Sequence, residues 1–231
     1  MNAMKKIFTY PLLLAATISL SACQTTGSDR MADSKEKIST EERIDSAIEK
    51  AAITASQSGS TSARLLALEK QYKRNSNDPA YALAYARGLR HAGYLNRASM
   101  ILEPFAKDEN AVAGAKTEMS MVALGLGNYD LAEKYAQQAV IQDPADHYAF
   151  QNLGIALDAK EMHPEAERAF RKGLENWEGD PTTIMNNLAL NLATQGFIDE
   201  AIEVLERAKA LSPNRIEIER NLRIIRTLNE R

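Results

Sequence analysis

Residues His147–Phe170 read HYAFQNLGIALDAKEMHPEAERAF. With His147 as position 1, Phe150 falls at position 4, Leu153 at 7, Gly154 at 8, Leu157 at 11, Ala166 at 20 and Phe170 at 24. Positions 4, 7, 8 and 11 form one stripe of a helix, and the small residues at 8 and 20 let a second, antiparallel helix approach it closely. The frame recurs. Ala98, Ala132, Ala166 and Ala201 occupy position 20 at intervals of 34, 34 and 35 residues, and Gly93, Gly127 and Gly196 mark position 15 in step with them. A common period that carries both the small residues and the turn glycines marks an internal repeat.

This spacing of large and small residues resembles the tetratricopeptide (TPR) template. The resemblance implies an all-α fold, a right-handed superhelical solenoid of antiparallel helix pairs. Four repeats are expected at 79–112, 113–146, 147–181 and 182–215, each with a helix A, a turn near position 15 and a helix B. Asn77-Asp78-Pro79 suits a helix start, because Asp accepts from free N–H groups and Pro is tolerated in the first turn. Residues 41–78 read as a degenerate helix pair, with Ile44, Ile48, Ala51, Ala52 and Ala55 at helical spacing and Arg64 in place of the alanine at position 20. Residues 216–231 read as a C-terminal capping helix, whose arginines form a polar outer face of the kind that ends a solenoid. In the third repeat Glu161 stands where glycine is expected, with His163-Pro164 restarting the helix. One extra residue enters near Asn176–Asp180, where Trp177, the only tryptophan, is read as a local packing plug rather than a recognition residue.

The bulk composition, 45% apolar and 26% charged with a formal charge of -3, is that of a soluble globular chain and offers no general attraction to nucleic acid. The single cysteine excludes an internal disulfide and is explained by its position. Lys5 and Lys6 precede an apolar run from Ile7 to Leu20, too short for a comfortable membrane span of about 20 residues. Residues 1–22 therefore read as a secretory signal. Leu20-Ser21-Ala22-Cys23 resembles a bacterial lipobox, which implies lipidation of Cys23 and a membrane anchor through the acyl chains. By resemblance to Gram-negative lipoproteins, Gln24 after the cysteine implies the periplasmic side of the outer membrane. Residues 23–40 are polar and read as a disordered tether.

On each helix A, positions 2, 6, 9 and 13 point nearly opposite the core stripe, into the concave groove of a stack. They place Met121, Tyr148, Ile155 and Leu190 on a groove floor suited to an apolar peptide or helix, with Asn152 and Asn187 able to hydrogen-bond its backbone. The other reading has Ile155 and Leu190 packed on neighbouring helices and the asparagines bridging turns. Arg87, Arg90 and His91 would form a basic entrance at the first full repeat. The lysines of TPR modules that clamp a terminal carboxylate have no counterpart here, so no such clamp is expected.

Neither catalysis, a cofactor nor a small-molecule substrate is expected. His91, His147 and His163 are scattered without metal-ligand spacing, and there is no phosphate-binding glycine loop or nucleophile elbow. Asn186-Asn187-Leu188-Ala189-Leu190 through Gly196 and Asp199-Glu200-Ala201-Ile202, together with the lipobox and tether, resemble the TPR lipoproteins of tight-adherence (Tad/Flp) pilus assembly. That resemblance implies a scaffold that binds a protein partner, a secretin or another pilus-assembly component. The alternatives are an adaptor for cell-envelope or peptidoglycan-synthesis enzymes and, more distantly, a periplasmic hydrolase.

Overall fold

A computed structural model describes residues 61–108, 111–112 and 114–229. Cys23, the segments at 1–22 and 23–40, and the helix expected at 41–57 lie outside the described residues. Those residues form ten helices: α1 (Thr61–Arg74), α2 (Pro79–His91), α3 (Leu95–Ala106), α4 (Ala115–Gly125), α5 (Tyr129–Gln142), α6 (His147–Ala159), α7 (His163–Glu175), α8 (Thr182–Thr194), α9 (Ile198–Leu211) and α10 (Ile216–Asn229). There is no strand among the described residues, and no described helix is long and apolar enough to cross a membrane.

The helices start and stop where side chains and backbone can satisfy free N–H and C=O groups. Asp78 accepts from Ala80 N at 2.9 Å, Asn128 from Leu131 N at 3.1 Å and Asp146 from Ala149 N at 3.0 Å. The turn after each helix A is one repeated device. Gly93, Gly127 and Gly196 take φ of +82°, +71° and +87°. The following N–H then folds back onto the helix: Tyr94 N donates to Leu89 O at 2.8 Å, Asn128 N to Ala123 O at 2.9 Å and Phe197 N to Leu192 O at 2.9 Å. In the third repeat the same bond runs from Met162 N to Leu157 O at 3.0 Å. Glu161 enters the left-handed region itself, at φ +62°, to make it.

These tight turns lay each helix B back against its helix A. Successive A helices also touch, α2 on α4, α4 on α6, α6 on α8 and α8 on α10. Close approach within a pair is set by small residues. A Cβ on Gly154 would lie 2.5 Å from the Phe170 ring, so α6 and α7 pack through a glycine and an aromatic face. Ala98, Ala132, Ala166 and Ala201, the alanines at position 20, are all completely buried. On the core stripe Tyr85, Leu89, Met185, Leu188 and Leu192 are buried, while Phe150 and Leu153 are only half-buried. α10 closes on this core through Ile218, Leu222 and Ile225, each roughly 1.5–3 kcal/mol of burial.

Candidate functional site

Position 9 of each helix A supplies one rung of a ladder. Arg87, Met121, Ile155 and Leu190 follow at intervals of 34, 34 and 35 residues. Met121 and Ile155 are half-buried, and Leu190 is 39% exposed. Tyr148, at position 2, is 47% exposed, with its ring centroid 5.4 Å from that of Trp177 and 4.3 Å from that of His147. Trp177 is half-buried, packs on the core of the last repeats and meets Tyr148 edge-on. Asn187 is half-buried, and its side chain pairs with no described residue.

Two residues expected in the groove have other roles. Asn152 is buried, 2% exposed, and spends its amide inside the fold: Nδ2 donates to Ser120 Oγ at 2.7 Å and to Thr117 O at 3.2 Å. It bolts α6 to α4, and no groove ligand can reach it. Arg90 is similarly occupied, because Nε and Nη2 both donate to the carboxylate of Glu118, which is 3% exposed. A buried carboxylate needs a charged partner, and α2 supplies two, since Arg87 Nε also lies 3.5 Å from Glu118 Oε2. Two guanidiniums thus share one carboxylate. The Arg87 side chain stays 52% exposed, and the basic entrance reduces to Arg87 beside the exposed His91. Desolvation, reinforced by the Arg90 charge, holds His91 below the ordinary imidazole value of 6.5, so the ring is neutral near pH 7.

The ladder runs one rung further than expected. Asn221 Nδ2 donates to Asn186 Oδ1, 35 residues earlier at 2.8 Å, the same separation as from Asn152 to Thr117. α10 therefore docks on α8 in the register in which α6 docks on α4. That register puts Ile224, 52% exposed, at position 9 and Leu228, 50% exposed, at position 13. The interval of 34 residues from Leu190 to Ile224 carried the signal, and the arginines of this segment obscured it. No group of His, Cys, Asp or Glu side chains among the described residues is placed to hold a metal ion.

Tetratricopeptide-repeat family profiles match residues 117–181 and 182–212. No curated protein sequence matches the chain. Among solved structures it is similar to TTC0263, a thermophilic TPR protein of Thermus thermophilus, with TM-score 0.65 and 17% identity over 78% of this chain and 97% of that one. It is also similar to MamA of Desulfovibrio magneticus RS-1, with TM-score 0.59 and 19% identity over 78% and 99% of the two chains. A further likeness, with TM-score 0.54 and 21% identity over 75% and 89% of the two chains, is to YrrB, described as a TPR protein with an unusual peptide-binding site. At such identities the likeness establishes the fold. The described helices are a tetratricopeptide solenoid.

Proposed function

We propose that this TPR chain is a non-catalytic scaffold that binds a protein partner along the concave face of its helix A series. The observation that carries the reading is the position 9 ladder, where Met121, Ile155, Leu190 and Ile224 keep apolar side chains partly open to solvent in register over consecutive repeats. An apolar residue exposed once needs no explanation, but a continuous partly open stripe marks an interaction surface. The peptide-binding site ascribed to YrrB supports the same use of this architecture.

The finer reading rests on the sequence. Leu20-Ser21-Ala22-Cys23 supports lipidation at Cys23 and a membrane anchor, and Gln24 supports the periplasmic side of the outer membrane. The likeness to Tad/Flp pilus lipoproteins supports a secretin or another pilus-assembly component as partner. Crosslinked co-purification from outer membranes tests both levels. Wild type should retain one partner, Cys23→Ser should lose the membrane fraction, and Leu190→Asp should lose the partner while staying in the membrane. Unchanged localisation of Cys23→Ser would refute the anchor, and recovery of cell-wall synthases in place of pilus components would refute the pilus assignment.

A further inference from the structure

The five rungs Arg87, Met121, Ile155, Leu190 and Ile224 sit on α2, α4, α6, α8 and α10, alternate helices that touch in order, and the axes of packed helices lie about 8–10 Å apart. Whatever binds the ladder must therefore present matching side chains about 10 Å apart on one face. An extended strand repeats a face every ~6.7 Å. An α-helix repeats one every seven residues, or ~10.5 Å.

The polar groups of this face point the same way. An extended peptide brings unpaired N–H and C=O groups along its whole length and needs side-chain amides to receive them. Three of the amides on these helices are already used. Asn152 donates to Thr117 O and Ser120 Oγ, Asn221 donates to Asn186 Oδ1 at 2.8 Å, and Asn191 donates to Asp158 Oδ1 at 2.7 Å and His163 O at 3.0 Å. Asn187 donates to no described residue, and neither do Asn186, whose Oδ1 accepts from Asn221, and Gln151. A helix satisfies its own backbone and needs none of them. α10 adds a contrast between two of its sides. One carries Glu219 and Arg226, paired with Lys209 and Glu206 of α9, together with Arg223, while the concave side keeps Ile224 and Leu228 beside Glu217.

Resting on the concave-face reading above, we infer that the occupant is one face of an amphipathic helix of a partner protein. It carries apolar residues at heptad spacing and an acidic residue one heptad beyond the last of them. The acidic residue meets Arg87, which shares the single carboxylate of Glu118 with Arg90 and stays half exposed.

The test uses the full chain and two labelled synthetic peptides of about 30 residues, long enough at 1.5 Å per residue to span the rungs. Both carry Leu at the first and Val at the fourth position of each heptad with Glu one heptad before the first Leu, and one has prolines at its centre. The helical peptide should bind at least about tenfold tighter than the proline form, a difference of about 1.4 kcal/mol. Leu190→Asp and Ile224→Asp, both at exposed positions and checked by circular dichroism, should each weaken it about tenfold. Arg87→Glu should weaken it several-fold, with recovery when the peptide Glu is replaced by Arg. Equal binding of the two peptides, both abolished by Leu190→Asp, would overturn the helix inference and leave the concave face standing. Binding untouched by Leu190→Asp would overturn the concave-face reading itself, and no binding of either peptide would overturn the helix inference.

Discussion

Glu161→Gly should stabilise the protein, because one turn geometry serves four repeats and only the third builds it without glycine. Glu161 holds φ +62°, where glycines at the equivalent positions hold +71° to +87°. The left-handed region costs an L-residue about 1–2 kcal/mol. Glycine removes that strain but loses about 0.5–1 kcal/mol more backbone entropy on folding. The carboxylate of Glu161 pairs with no described residue, so its removal forfeits no contact. The net gain is about 0.5–1 kcal/mol, a rise in Tm of about 1–4 °C for a chain of this size. Gly127→Ala is the reciprocal change, and a Cβ there meets nothing within 4 Å, so its effect is confined to the backbone. It should lower stability by a similar amount. Thermal melts followed by circular dichroism, with hydrogen exchange at the Met162 amide as a local probe, measure both. A Glu161→Gly protein no more stable than wild type, beside a destabilised Gly127→Ala, would refute the strain argument.

Gly154→Ala puts a Cβ 2.5 Å from the ring of Phe170, itself 1% exposed, so overpacking of about 1–3 kcal/mol outweighs the helix-propensity gain of about 1 kcal/mol. A lowered Tm, partly recovered by adding Phe170→Leu, is the expected result. Asn152→Leu should cost about 1–3 kcal/mol by breaking the bonds to Ser120 Oγ and Thr117 O, yet leave partner affinity unchanged in the folded protein. For His91 the folded state holds the imidazole below 6.5, so the unfolded chain takes up its proton first. Its contribution is therefore fully present above that pH and falls as pH drops below it. Wild type should lose denaturant midpoint as pH falls below 6.5, and His91→Gln should flatten that decline.

The helix pairs and their turns were legible in the sequence because they depend on residues with few substitutes. Gly93, Gly127 and Gly196 are favoured by positive φ, and Gly154 is required by the ring of Phe170. The concave face was legible only as a direction. A rotation of 100° per residue separates core from groove, but it does not say which groove side chains the preceding helix covers. Asn152 and Glu118, both at position 6, are sealed because Thr117 and Ser120 in one case, and Arg87 and Arg90 in the other, reach them from the previous repeat. Those contacts join residues 28 to 35 apart, and the rotation alone does not reveal them. Ile224 and Leu228 were hidden differently. They keep the repeat register within a segment whose arginines suggest only a solvated end.

The central claim is that the concave ladder, not exposed apolar surface in general, binds the partner. Leu190 is 39% exposed on the ladder, whereas Met100 is 72% exposed on α3, a helix B. The measurement is the affinity of the co-purified partner for wild type, Leu190→Asp and Met100→Asp, each confirmed folded. A loss of about tenfold or more for Leu190→Asp, with Met100→Asp indistinguishable from wild type, is the predicted result. Equal affinities for all three, or a greater loss for Met100→Asp, would contradict the account.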